Sequence, residues 1–183
     1  MKKLLLILTL FAMTASPAWA GRSIDESTVD LLSPSFPWVF TPGQAFTSEF
    51  YVYNASTDTE WISEIWLTFP ECFTVTNGWW VPDPGASSPF GFGFDTIGSS
   101  DNGAYFWDLD GSWGEIYGGE GGRFYVEVMV GADCECGPAE IEWFLQGDVY
   151  GSDPHQMSGY LDTHVCEQTN INSSDWSTIK ALY

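Results

Sequence analysis

From Phe124 to Val130 the chain alternates without a break: Phe124, Val126, Val128 and Val130 on one parity, Tyr125, Glu127 and Met129 on the other. Side chains of a strand point to opposite faces in turn, so this is a strand with one face toward a core. The same period recurs in Phe46–Asn54, with Phe46, Phe50 and Val52 inward and Thr47, Glu49, Tyr51 and Tyr53 outward. Asn54-Ala-Ser-Thr-Asp58 is a turn, because short polar side chains there satisfy their own backbone. After it Trp61, Ile65, Leu67 and Phe69 are read as inward against Ile62, Glu64, Trp66 and Thr68, and Pro70 ends the strand. A short strand over 72–76 is expected to close at the turn dipeptide Asn77-Gly78. Residues 79–122, broken by Pro82, Pro84, Pro89 and many glycines, read as the irregular, loop-rich half. Ala139, Ile141, Trp143 and Leu145 then alternate with Glu140, Glu142, Phe144 and Gln146. The run 159–166 returns antiparallel across a loop at 147–157, which brings Cys166 back near Cys136.

About eight such strands predict an all-β protein, an antiparallel β-sandwich of immunoglobulin-like type, with a jelly roll as the alternative. Helical spacing is confined to the end, where Trp176, Ile179, Leu182 and Tyr183 follow a possible cap at Ser174 or Asp175. At the other end, Lys2 and Lys3, an apolar run from Leu4 through Met13 and Ala18-Trp19-Ala20 predict a secretory signal peptide cleaved after Ala20. The expected organisation is therefore a signal peptide at 1–20, a β-sandwich at 21–169 and a short helical tail at 170–183. No second apolar stretch is long enough to span a membrane, so the mature chain is expected to be secreted, periplasmic or on the cell surface.

Charge narrows the partners. Once Lys2 and Lys3 leave with the signal, Arg22, Arg123 and Lys180 face all 25 carboxylates, a formal charge of −22. Three scattered cations cannot neutralise a phosphate backbone, so nucleic acid and anionic membranes are disfavoured as partners. An aromatic content of 17% argues against disorder, since Trp, Phe and Tyr bury large areas.

Four cysteines in an exported chain predict two disulfides. Of three connectivities, Cys134–Cys136 closes a tiny strained ring, which leaves Cys72 joined to one of the two and Cys166 to the other. The expected pairs are Cys72–Cys134 and Cys136–Cys166. The competing reading is a metal site made from the Cys-x-Cys pair, Cys166 and a histidine.

Phe50-Tyr-Val-Tyr-Asn-Ala-Ser-Thr-Asp58, followed by Trp61-Ile62 and Leu67-Thr-Phe-Pro70, resembles the opening strands of secreted bacterial immunoglobulin-like domains, including the CARDB-like, adhesion-related group. The resemblance covers roughly residues 35–166 and implies noncatalytic spacing, adhesion or display, with no catalytic residues to carry over. It does not account for Cys134-x-Cys136. Trp176-Ser-Thr-Ile-Lys-Ala-Leu-Tyr183 is similar to a Trp-x-x-Ile-Lys-x-Leu-Tyr ending found on exported bacterial proteins.

Three candidate sites remain. Asp108-Leu-Asp110-Gly111-Ser112-Trp-Gly-Glu115 has the oxygen donors of a calcium loop, but with Gly111 at the sharp turn Phe106 and Tyr117 fall where carboxylates are required. A looser calcium site would draw on Asp101, Asp108, Asp110, Glu115 or Glu120, against the plainer reading of a solvated acidic loop. Tyr51, Tyr53 and Trp66 lie opposite the core, and Trp79, Trp80, Trp107 and Trp113 offer a second platform; such rings either stack on sugars or cover the sheet. His155, with Asp148 or Asp153 to orient it, tempts an acid/base role. The chain contains no Gly-x-Ser-x-Gly elbow and no His-Glu-x-x-His motif, and a loop-bracing histidine is the plainer reading. The reading that follows is a noncatalytic structural, adhesive or cell-envelope module, whose partner is an envelope protein or a glycan. A carbohydrate-binding module, calcium-dependent or not, is the alternative.

Overall fold

In the computed structural model, which describes residues 23–34, 39–87 and 90–166, the period-two pattern becomes two facing sheets. The strands are β1 (Thr28–Ser33), β2 (Val39–Phe40), β3 (Ala45–Tyr53), β4 (Ile62–Thr68), β5 (Phe73–Pro82), β6 (Phe92–Ile97), β7 (Gly103–Asp108), β8 (Gly121–Val130), β9 (Gly137–Gly147) and β10 (Gln156–Val165). One sheet has four strands in the order β1-β3-β8-β5, the other six in the order β2-β10-β9-β4-β7-β6. All pairings are antiparallel except the short β2 beside β10. The protein is an all-β sandwich, and no helix occurs among the described residues. The signal segment and the tail both lie outside those residues.

The surest strand holds its place at the centre. β8 is paired on both sides, and Phe124, Val126, Val128 and Val130 are all buried. Phe124 meets the opposite sheet edge-on through Phe106 (5.0 Å between centroids) and Phe92 (5.3 Å). Trp80 of the neighbouring strand stacks beside it at 5.9 Å. Edge-to-face contacts of this kind add about 0.5–1.5 kcal/mol each beyond the area they bury. A second aromatic group, Phe40, Phe69 and Phe73, closes the sandwich toward the start of β5.

Two readings of the pattern are corrected. Ile62, assigned to the outer face, is fully buried, and Trp61 is the partly exposed residue, packed on Tyr117 at 4.8 Å. A bulge between Ile62 and Glu64 in the pairing with β9 shifts the phase, so one strand has two inward residues of opposite parity. Asn77-Gly78 is no turn: β5 runs through it to Pro82, with a bulge between Val75 and Asn77. A Cβ on Gly78 would sit 2.5 Å from the Phe94 ring, so this glycine makes room for an aromatic side chain from the other sheet. Much of the supposed irregular half is likewise strand. Gly93 of β6 lies against the Trp107 ring, where a Cβ would approach to 2.6 Å. Glycine there serves ring packing, and residues 109–120 form a long loop between β7 and β8.

Cys72 and Cys134 are joined, with their Cα atoms 5.5 Å apart. The bridge ties the entry of β5 to the loop after β8, where Gly131 N–H also donates to the Cys72 carbonyl at 2.8 Å. The other expected bridge, Cys136–Cys166, is not formed in the structure, although the two sulfurs face each other.

Two outcomes follow. Phe124→Ala leaves a cavity at the junction of both sheets and lowers unfolding free energy by about 3–5 kcal/mol in urea titrations. Replacing Cys72 and Cys134 together by serine opens a loop of 62 residues and costs about 4 kcal/mol in the chain-entropy model; a loss under about 1 kcal/mol would show that the bridge restricts the unfolded chain little.

Candidate functional site

The outer face of the six-stranded sheet carries a groove of about 520 Å³, lined by Glu64, Trp66, Glu142, Phe144, Gln146 and Tyr160 among others. Strand pairing builds it. Trp66 is in register with Phe144 on one side and Tyr105 on the other, and Glu64 with Gln146. In-register neighbours on paired strands point to the same face, so these residues share one face. Trp66 packs edge-on against Tyr105 at 5.0 Å and Phe144 at 6.0 Å, and Tyr105 leans on Trp107 at 5.4 Å. The result is an aromatic band running across β9, β4 and β7. Trp66 stays 38% exposed and Tyr160 63% exposed. Trp66 Nε1 donates to Glu64 at 3.1 Å, and burial together with Glu64 raises the Tyr105 phenol. The groove thus offers apolar ring surface beside carboxylate and amide groups on a floor of paired strands.

The other predicted rings part company. Tyr51, Tyr53 and Trp79 lie on the outer face of the four-stranded sheet. Trp79 stacks on Tyr125 at 5.1 Å, nearly parallel, and the Tyr51 hydroxyl donates to Asp83 at 2.6 Å, a bond that helps push the phenol up to about 12. Trp113 is exposed in the loop after β7, against Tyr150. Trp80 turns inward onto Phe92 and Phe124. The expected second platform of Trp79, Trp80, Trp107 and Trp113 is therefore dispersed over two faces, a loop and the core. Each strand-borne ring follows the parity of its own strand.

Of the acidic candidates, Asp108, Asp110 and Glu115 converge, each offering a carboxylate oxygen within 4.8 Å of the others. Both oxygens of Asp108 already accept backbone N–H groups, from Asp110 and Gly114 at 3.1 Å, and Asp110 accepts from Ser112 at 3.0 Å. The loop folds around its own carboxylates. Burial, and the carboxylate of Asp110, raise Asp108. Asp101 and Glu120 stand elsewhere: Asp101 accepts from Thr96, and Glu120 from the backbone and hydroxyl of Ser87.

A buried carboxylate that sequence reading did not single out organises the loop end of the sheet. Asn54 anchors the 54–60 turn by donating to the carbonyls of Glu60 (2.9 Å) and Ile116 (2.8 Å), which sets the fully buried Glu60 facing inward. Its carboxylate touches Ser23 and lies 2.8 Å from His155 Nδ1, while His155 Nε2 is 3.1 Å from Asp153. Gly147 leaves the space, since a Cβ there would fall 1.9 Å from Glu60 Oε1. Glu60 thus holds Nδ1 from the buried side, and the exposed Asp153 contacts Nε2. His155 braces the loop, through Asp153 as the sequence suggested and through Glu60 from 95 residues away.

No family model and no curated protein matches the chain. Among solved structures it is similar to a cohesin module from a Clostridium perfringens family 33 glycoside hydrolase, with TM-score 0.51 and 11% identity over 80% of this chain and 100% of that one. It is similar to the major pilin subunit of Bacillus cereus, with TM-score 0.53 and 9% identity over 79% and 41%. A third is a protein that catalyses macrocyclisation in alchivemycin A biosynthesis, with TM-score 0.51 and 13% identity over 83% and 95%. At these identities the likeness is one of fold, a β-sandwich shared by modules of unlike activity. Among the described residues no helix is long and apolar enough to cross a membrane.

The hydrogen bond to Glu60 raises His155 above its ordinary value of 6.5, with the charges of Glu60, Asp153 and Asp148 adding to it and burial opposing. A raised folded-state value means stability fully present below pH 6.5 and lost as pH climbs through that value. The difference in unfolding free energy between the unsubstituted chain and His155→Gln should therefore shrink as pH rises through this window. A difference that is flat or grows across a urea–pH series contradicts the brace.

Proposed function

We propose that this chain is an exported, noncatalytic interaction module, of structural, adhesive or cell-envelope type, that presents the outer face of its six-stranded sheet to a partner. The observation that carries the reading is the groove with exposed rings at Trp66 and Tyr160 and the half-buried Phe144 on a paired sheet. Isolated apolar residues are ordinary on a surface, whereas a contiguous aromatic patch rimmed by polar groups marks a binding face. Fold likeness to a cohesin module and a pilin subunit is in keeping with this, as is a disulfide with an oxidising setting outside the cytoplasm.

Ring faces beside Glu64, Glu142 and Gln146 also favour a second reading, a carbohydrate-binding module: carboxylates and amides accept or donate to sugar hydroxyls while rings cover C–H faces. Saturable binding to isolated cell envelopes, against retention on a glycan array, distinguishes protein from sugar partners. In either case Trp66→Ala and Tyr160→Ala each weaken binding by about 2 kcal/mol, roughly thirtyfold, if the groove is the contact. Release of products from secreted polysaccharides by the purified chain, abolished with its carboxylates, would replace the noncatalytic reading with an enzymatic one.

A further inference from the structure

At the end of the six-stranded sheet opposite the His155 brace, the ladder between β9 and β10 closes with Gly137 opposite Val165. The next residue on each strand is a cysteine. Cys166 N–H donates to the Phe40 carbonyl of β2 at 2.9 Å, so its peptide group points away from β9. Cys136 and Cys166 thereby face each other as a non-hydrogen-bonded pair, the kind in which side chains approach more closely. Val165 is buried, so His164 and Cys166, its neighbours on either side, point outward together. His164 is opposite Pro138, diagonal to Cys136. One sulfur from each cysteine and a ring nitrogen of His164 accordingly lie within 4.8 Å of one another.

We propose that Cys136, His164 and Cys166 form a binding site for a thiophilic divalent metal ion of the zinc class, with the fourth coordination position open to solvent. Two thiolates and an imidazole are the soft and intermediate donors that select such ions over calcium or magnesium. Bond lengths of about 2.3 Å to sulfur and 2.0–2.1 Å to nitrogen place tetrahedral donors roughly 3.5–3.8 Å apart. Rotamer adjustment within the present spacing supplies that closure. Cys134 takes no part, because it is bridged to Cys72 on the buried side of the sheet. A Cys136–Cys166 disulfide, the pairing expected from the sequence, is the competing state of the same two sulfurs. The field of 25 carboxylates raises the concentration of cations at the surface. The site is remote from the aromatic groove's central rings and stands independently of the interaction reading.

Cobalt(II) added to the full exported chain is the probe. One ion per chain is expected, with thiolate-to-cobalt charge-transfer absorption, tetrahedral d–d bands and displacement by zinc. Cys136→Ser and Cys166→Ser each reduce the charge-transfer band, and together abolish it; His164→Ala preserves that band but alters the d–d spectrum and weakens binding. Circular dichroism and an intact Cys72–Cys134 bridge check that the variants fold. In the unsubstituted chain, zinc should protect both Cys136 and Cys166 from alkylation, and a chelator should restore their reactivity. Three results overturn the proposal: cobalt spectra indifferent to the cysteine variants, no protection by zinc, or a Cys136–Cys166 bridge found by peptide mapping of protein recovered after export.

Discussion

The contact of Phe124 with Phe106 and Phe92 is the constraint on which the rest depends, because it is where the two sheets are locked face to face. β8 pairs with β3 and β5 along its whole length, so the position of Phe124 fixes the register of three strands at once. A slip of one residue would turn Phe124, Val126, Val128 and Val130 to water and Arg123 and Glu127 into the core. The many glycines serve the same seal. At Gly78 the Phe94 ring of the facing sheet fills the volume that a side chain would take, and at Gly159 the Trp143 ring does so. Aromatic packing and glycine content are two halves of one arrangement.

That arrangement explains what could be read from the chain and what could not. β3, β8, β9 and β10 were legible because each alternates cleanly and is bounded by polar turns. β4 was legible as a strand but not in phase, since a bulge is one extra residue that leaves no mark in composition. Residues 79–108 misled because glycine and proline normally punctuate strands, whereas here the glycines accommodate rings that arrive from distant sequence. The adjacency of Cys136 and Cys166 followed from the hairpin alone. The groove did not, for Tyr160 meets the Trp66 band only through the pairing of β10 with β9 and β9 with β4. Glu60 beside His155 is the extreme case, a partnership that no local pattern could announce.

The acidity of the chain is accommodated without an equal number of cations. Among the described residues Arg123 is the one Lys or Arg, and it pairs with Glu49 on an exposed face, where an ion pair contributes little. The carboxylates that matter to the fold are held by N–H and O–H donors instead. Asp58 accepts from the backbone and hydroxyl of Ser152, bonds that outweigh its burial and lower its proton affinity. Asp108 and Asp110 shape the 109–120 loop in the same manner. Such local acceptors fold turns that would otherwise leave backbone amides unsatisfied. Negative charge is thus spent on loop geometry, and the remaining carboxylates stay on the surface to set its potential.

The β9–β10 hairpin is restrained at both of its ends. Its loop end is tied to the core by Glu60 through His155, and its open end by β2, whose Phe40 accepts from Cys166. β10 has ten residues, which at about 3.3 Å each separates the two ends by roughly 30 Å. Tyr160 stands between them and Phe144 beside it, on a hairpin restrained at both extremities. A binding face on so restrained an element loses little conformational freedom when a partner docks, so the contacts it makes appear as affinity instead of being consumed in ordering the sheet. The two histidines of the chain mark the two ends of that hairpin: one turned inward with both nitrogens occupied, the other turned outward beside two sulfurs.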